Sequence, residues 1–198
     1  MEFPQEWIEL FESLSSNRVR YLIVGGHALG AHASPRRTDD IDIFVEPTLE
    51  NARRVGNALG AFGYPALGAR WRTFAERDRM ATLGVPPLRV DIMTSITGVD
   101  FAEAWAGRVV LPQGKLRLPF LGRDELLKNK RASARLKDLA DVAALTGESR
   151  EELLGAALAL TETAKRKTAK KKAAKKKAAK KKAAKKKTAT KPGRRRRG

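Results

Sequence analysis

The sequence predicts an α/β (α+β) domain over residues 1–160, a mixed sheet flanked by helices, followed by a disordered Lys/Ala/Arg-rich tail over 161–198. Three observations predict it. Short β-type apolar runs alternate with longer amphipathic segments, the pattern of one sheet covered by helices. The charge is divided along the chain. Of 41 Lys and Arg, 20 lie from Lys165 onward, where Asp and Glu are absent. The formal net charge of +19 therefore belongs to the tail, and the rest, with 21 basic and 22 acidic residues, carries −1. A near-neutral stretch of about 160 residues can bury a core, whereas the tail contains nothing apolar enough to pack.

In chain order, Trp7, Ile8, Leu10, Phe11 and Leu14 recur at helical spacing over Pro4 to Ser15, with Pro4 suited to a first turn. Asn17 ends that helix, and Arg20 to Val24 is a buried strand. Gly25-Gly26-His27 leads into a short helical stretch from Ala28 to Ala33, then a basic turn, Pro35-Arg36-Arg37-Thr38. A second strand runs from Asp40 to Val45. Thr48 caps a helix reaching Ala61. Phe62 to Arg72 is rich in turn residues and yields no element. Leu88 to Met93 is a strand preceded by Pro86-Pro87, and Asp100 to Ala106 is a short helix. Val109–Leu111 and Leu116–Leu121 form a hairpin around Pro112-Gln113-Gly114. Arg123–Ala132, Leu136–Leu145 and Arg150–Leu160 are helices, the last opened by a capping box of Ser149 and Glu152.

Several classes are excluded. There is no cysteine, hence no disulfide framework, thiolate chemistry or zinc-thiolate site. The acidic start is unlike a signal peptide, and no apolar run approaches the roughly 18 residues that span a bilayer. The expected setting is cytoplasmic, in association with the nucleoid if the tail binds DNA, and no membrane partner is expected.

The chemistry is concentrated around Asp40 and Asp42. Two apart on a strand, they share a face with Phe44, while Ile41, Ile43 and Val45 pack on the other. Adjacent carboxylates repel unless a cation lies between them. Mg²⁺ suits them, because it takes hard oxygen ligands and keeps positions for substrate phosphates. A glycine-rich strand-to-helix junction offers backbone N–H groups to those phosphates. Asp91, between Val90 and Ile92, is an expensive place for a charge without a partner. The alternatives are a metal ligand or an ion pair with Arg89 or another arginine. His27 and His32, five apart, make a poor metal pair and read as structural, with His27 near enough to the glycines to line a pocket.

The motif Gly25-Gly26-His27-Ala28-Leu29, then Arg36-Arg37-Thr38-Asp39-Asp40-Ile41-Asp42, resembles the nucleotidyltransferase superfamily, and within it the AbiE-type toxin group. The segment Asn129 to Asp141, with Lys130, Arg135, Lys137, Asp138 and Asp141, is similar to the Lys…Arg…Lys-Asp…Asp signature that closes the domain in that group, where Ala134 stands in place of a frequent glycine. Gly26 departs from the serine that many members carry. The resemblance spans about Arg20 to Leu145. It implies a nucleotidyltransferase fold and transfer of a nucleoside monophosphate from an NTP to an acceptor, with release of pyrophosphate. It implies two Mg²⁺ ions, roughly 4 Å apart, held by Asp40 and Asp42, with Asp91 ligating one and accepting the acceptor's proton. Gly25 and Gly26 would seat the β- and γ-phosphates. Lys130 would neutralise them, with Arg135 and Arg36 (or its neighbour Arg37) as further nucleotide contacts, and Lys137-Asp138 would be a structural pair. A neutralising, antitoxin-like protein partner is expected by the same analogy.

The tail carries a five-residue repeat, run five times from Lys165-Arg166-Lys167-Thr168-Ala169 to Lys185-Lys186-Lys187-Thr188-Ala189, and ends in four arginines and a glycine. Five residues advance a helix by about 500°, so the alanines form no stripe. Lys170, Lys175, Lys180, Lys185, Arg194 and Arg195 represent its expected contacts to nucleic-acid phosphates, which carry no base readout and weaken with salt. The tail resembles those of linker histones and lysine-rich extensions of bacterial nucleoid proteins. A solubilising extension and a contact to acidic lipid are the alternatives. The acceptor expected for the transfer is tRNA or another RNA end. Two rival expectations are a non-catalytic nucleic-acid-binding protein on a degenerate transferase scaffold, and a module that senses an NTP without turnover.

Overall fold

The structure, a computed structural model, describes residues 2–33 and 38–149 together with Leu153 and Gly155. Residues Met1–Arg150 form one unit and Glu151–Gly198 a second. Of the helix expected over 150–160, only Leu153 and Gly155 are described, and both are helical. The rest of that helix, the basic tail and Arg36 lie outside the described residues.

The first unit is built on a six-stranded mixed sheet flanked by helices, with strand order β3-β4-β2-β1-β6-β5. Its strands are β1 (Tyr21–Val24), β2 (Asp40–Val45), β3 (Met80–Leu83), β4 (Arg89–Met93), β5 (Val109–Gln113) and β6 (Leu116–Phe120). The helices are α1 (Gln5–Ser16), α2 (Gly25–His32), α3 (Leu49–Ala61), the single turn α4 (Pro65–Gly68), α5 (Phe101–Ala106), α6 (Arg123–Ser133) and α7 (Leu136–Thr146). A 3₁₀ turn covers Trp71–Ala75. The region read as turns therefore holds two short helical turns. The expected short helix after the glycines begins at Gly25 itself, and an edge strand, β3, joins the five read from sequence.

The amphipathic α1 buries Trp7, Leu10, Phe11 and Leu14. On β2, Ile41, Ile43 and Val45 are fully buried on one face, and Phe44 on the other meets Phe101 of α5 edge-on at 5.0 Å between ring centroids. The sheet is thus covered on both faces at the C-terminal end of β2. Its N-terminal end, where Asp40 and Asp42 share the Phe44 face, is the part left open.

Candidate active site

Strand pairing gathers the acids. Because β1 runs antiparallel to β2, its last residue, Val24, lies opposite Asp42. Because β4 runs parallel to β2, Asp40 faces Arg89 and Asp42 faces Asp91. Alternate residues share a face, so these four side chains form a two-by-two patch with formal charge −2. Gly25 follows Val24 with φ +64°, and a Cβ there would stand 2.0 Å from Asp42 Oδ2. Only glycine meets both conditions. A Cβ on Gly26 would sit 3.3 Å from the Thr38 side chain, so the second glycine keeps Thr38 close.

The three carboxylates differ in their partners. Asp40 accepts from Thr38 Oγ1 at 2.6 Å and from Arg89 Nη2 at 2.5 Å. The Thr38 hydroxyl, joined by Arg89 and Lys137, holds Asp40 below the usual carboxylate range against the effect of burial. Asp91, 8% exposed, accepts from Thr82 Oγ1 at 2.7 Å and pairs with Arg89 Nη2 at 3.2 Å. Arg89 thus bridges Asp40 and Asp91. The Asp42 carboxylate accepts no hydrogen bond from another described residue. Burial, then repulsion from Asp40 and Asp91, push it upward, with Lys130 and Lys137 opposing.

The side chains can be tested against the Mg²⁺ that the resemblance implies. As they stand, the described residues include no group of three His, Cys, Asp or Glu arranged to hold a metal ion; the Arg89 guanidinium lies where Asp40 and Asp91 would otherwise converge. The donor set nevertheless fits a hard cation in kind. It is all oxygen, the Asp42 carboxyl accepts no hydrogen bond from the described residues, and Gly25 keeps backbone, not side chain, against it.

The patch opens into a cleft of about 460 Å³, a size that suits a small-molecule ligand. Gly25, Gly26, Asp40, Asp42, Asp91, Lys130 and Arg135 all line it, so every expected site residue within the described region comes to one place. Met80, Met93 and Ile96 give its wall apolar surface, with Thr97, Asn129 and Ser133 nearby.

Lys130 reaches the cleft from α6 but is 4% exposed, its Nζ 3.0 Å from Asp138 Oδ1 and 2.7 Å from Asp141 Oδ2. Arg135 Nε donates to the other Asp138 oxygen at 2.7 Å while most of its side chain stays exposed. Burial works against the Asp138 charge, but Arg135 and Lys130 together hold its carboxyl below the usual range. The expected Lys137–Asp138 pair is therefore replaced: adjacent helix residues do not face each other, and Asp138 is taken by Lys130 and Arg135. Lys137 is exposed and lines the cleft. Between α6 and α7, Ala134 adopts φ +49°, a left-handed turn in which glycine would be relaxed.

Both histidines pack within the fold. The His27 ring packs against Phe3 and Trp7 at 5.2 and 5.3 Å, and burial lowers its pKa against the pull of Asp40. His32 Nε2 lies 2.8 Å from the Leu121 carbonyl. Three contributors escaped sequence reading: Thr82 as an anchor of Asp91, Lys137 as a cleft cation, and Arg89 as a partner of two acids at once. Only the pairing of β2 with β4 could have exposed the last. No helix among the described residues is long and apolar enough to cross a membrane. No known family model matches the chain, and no curated protein matches it.

Proposed function

We propose that the cleft binds a Mg²⁺–nucleoside triphosphate and transfers its nucleoside monophosphate to an acceptor hydroxyl, in a nucleotidyltransferase-type fold. One observation carries this reading. Asp42 and Asp91 stand side by side on parallel strands, against the bulk-free backbone of Gly25, in a cleft that also holds exposed cations. Asp42 and Asp91, with Asp40, are the residues that would hold divalent metal. When bound, the metal supplies charge neutralisation at the phosphates and at the entering and leaving oxygens. Backbone N–H groups at the start of α2 receive phosphate oxygens. Arg135 and Lys137, exposed at the cleft, meet the triphosphate charge, and buried Lys130 fixes the helix that carries them toward it. The acceptor oxygen bonds to the α-phosphorus as the bond to the β-phosphate oxygen breaks. Pyrophosphate leaves, and the acceptor's proton passes to Asp91. Catalysis of this kind is positioning and electrostatics. The polybasic tail brings nucleic acid to the domain, and an RNA end is the acceptor class that fits it.

A second reading has a specific observation in its favour. Arg89 already neutralises part of the acid patch, as it would in a non-catalytic scaffold carrying a nucleic-acid-binding tail. Incubation with each labelled NTP, Mg²⁺ and total RNA separates the two. Label transfer that is lost in Asp42→Asn and kept after deletion of 165–198 supports the enzyme. No transfer with any metal, together with tight salt-sensitive DNA binding, supports the scaffold.

A further inference from the structure

Arg89 occupies an unusual position for a surface arginine. It lies in register with Asp40 on the neighbouring parallel strand, and the same Nη2 reaches Asp40 Oδ2 at 2.5 Å and Asp91 Oδ2 at 3.2 Å. Its Nε is buried and finds no acceptor among the described residues. The guanidinium therefore forgoes one hydrogen bond in order to sit between two acids. Arginine usually meets a carboxylate through a two-pronged contact; here one nitrogen is shared by two carboxylates, as a single cation would be.

The remaining oxygens show what is left for an ion. Asp40 has one oxygen on Thr38 and the other on Arg89. Asp91 has one on Thr82 and the other on Arg89, at the longer of the two arginine distances. Both oxygens of Asp42 are without donors among the described residues. Three carboxylates and one guanidinium leave a formal charge of −2, which one divalent cation cancels.

We propose that Arg89 is a built-in counter-cation that takes the place of one of the two divalent ions, so that the nucleotide-free protein binds a single ion, centred on Asp42 and the adjacent edge of Asp91. This rests on the metal-binding reading above and revises its stoichiometry. Arg89 is a positioning residue: it fills the space between Asp40 and Asp91 before any nucleotide arrives, and restricts the free ion to one place.

The test is the number of Mn²⁺ ions bound by the nucleotide-free full chain, counted from the loss of the free-ion signal in electron paramagnetic resonance. The expected counts are one for the wild type and two for Arg89→Gln, which keeps a polar side chain but removes the charge. Arg89→Lys, which keeps the charge, should stay at one. Two ions in the wild type, or an unchanged count of one in Arg89→Gln, overturns the role of Arg89 while leaving metal binding intact. No ion in the wild type overturns both. If Arg89→Gln does not fold, the wild-type and Arg89→Lys counts still decide, since two ions in either contradicts the proposal.

Discussion

Two charged clusters face one cleft and are built on opposite plans. The strand cluster of Asp40, Asp42, Asp91 and Arg89 holds three acids to one base, and its Asp42 carboxylate is without hydrogen bonds from described residues. The helix cluster of Lys130, Arg135, Asp138 and Asp141 balances two acids with two bases, and Asp138 and Asp141 are 0% and 3% exposed. The difference follows from what each is attached to. Parallel strands in register leave like charges adjacent whether or not that is favourable, so the imbalance must be met from outside. Helices joined by a tight turn can be rotated until charges pair, so the second cluster matches acids with bases of its own. The first keeps a net negative charge at the cleft, and the second ties α6 to α7.

The comparison breaks most visibly at Lys130. Replacing it with Met takes the ammonium away from Asp138 and Asp141, both of which are buried. Removing one partner from a buried ion pair costs about 3–5 kcal/mol, so Lys130→Met should unfold at markedly lower denaturant concentration. Adding Asp138→Asn and Asp141→Asn to the same chain should recover part of that loss, because the two buried acids that Lys130 met are then neutral. A loss below about 1 kcal/mol for the single change would mean that Lys130 is not the keystone of the helix cluster.

Gly25, packed against Asp42 of the strand cluster, ranks next. Gly25→Ala places a methyl carbon 2.0 Å from Asp42 Oδ2 at a residue with φ +64°. Left-handed strain and forced displacement together cost about 2–4 kcal/mol. Gly26→Ala, with its nearest contact at 3.3 Å and an ordinary φ, should cost clearly less. Thermal melts of the two variants give the contrast directly, and equal losses would remove the special status of the first glycine.

How much of this was legible beforehand depends on the range of the interaction. The bounds of β2 could be read outright, as could the Thr48 cap, whose hydroxyl accepts from the Asn51 N–H at 3.3 Å. Both depend on neighbours within a few residues. The edge strand β3 could not, since Met80 to Leu83 is only four residues long and mostly exposed, so it shows little alternation. The convergence of Asp91 on Asp42 was anticipated through family resemblance, and its register emerges only from strand pairing. The partners were the hardest to see. Arg89 and Asp40 are 49 positions apart, and the choice of Lys130 over Lys137 for Asp138 depends on the turn at Ala134. Local chemistry shows in a sequence, whereas the assignment of partners among many similar charges requires the topology.

The smallest expected effect concerns Asp42 alone, and its sign is the informative part. Its carboxyl is raised by burial and by two like charges. The ionised form is therefore less favourable in the fold than in the unfolded chain. Well below the ordinary carboxylate pKa both states are protonated and no penalty exists. The penalty grows as pH rises through that range and is complete above the raised folded value. Asp42→Asn removes the charge at little change in volume, so it should melt about 1–3 °C above the wild type at neutral pH. The gain should shrink to nothing in acid. Asp138→Asn should behave in the opposite way, because the Asp138 carboxyl is held below the usual range by Arg135 and Lys130 against the effect of burial. It should cost stability at neutral pH, and the difference from wild type should narrow as acid protonates the native carboxylate. Melting curves of both variants from acid to neutral pH are the measurement. Parallel pH profiles would mean that the strand and helix clusters are not electrostatic opposites, whereas divergent ones would show that the strand cluster sacrifices stability to keep an unmatched charge at the cleft.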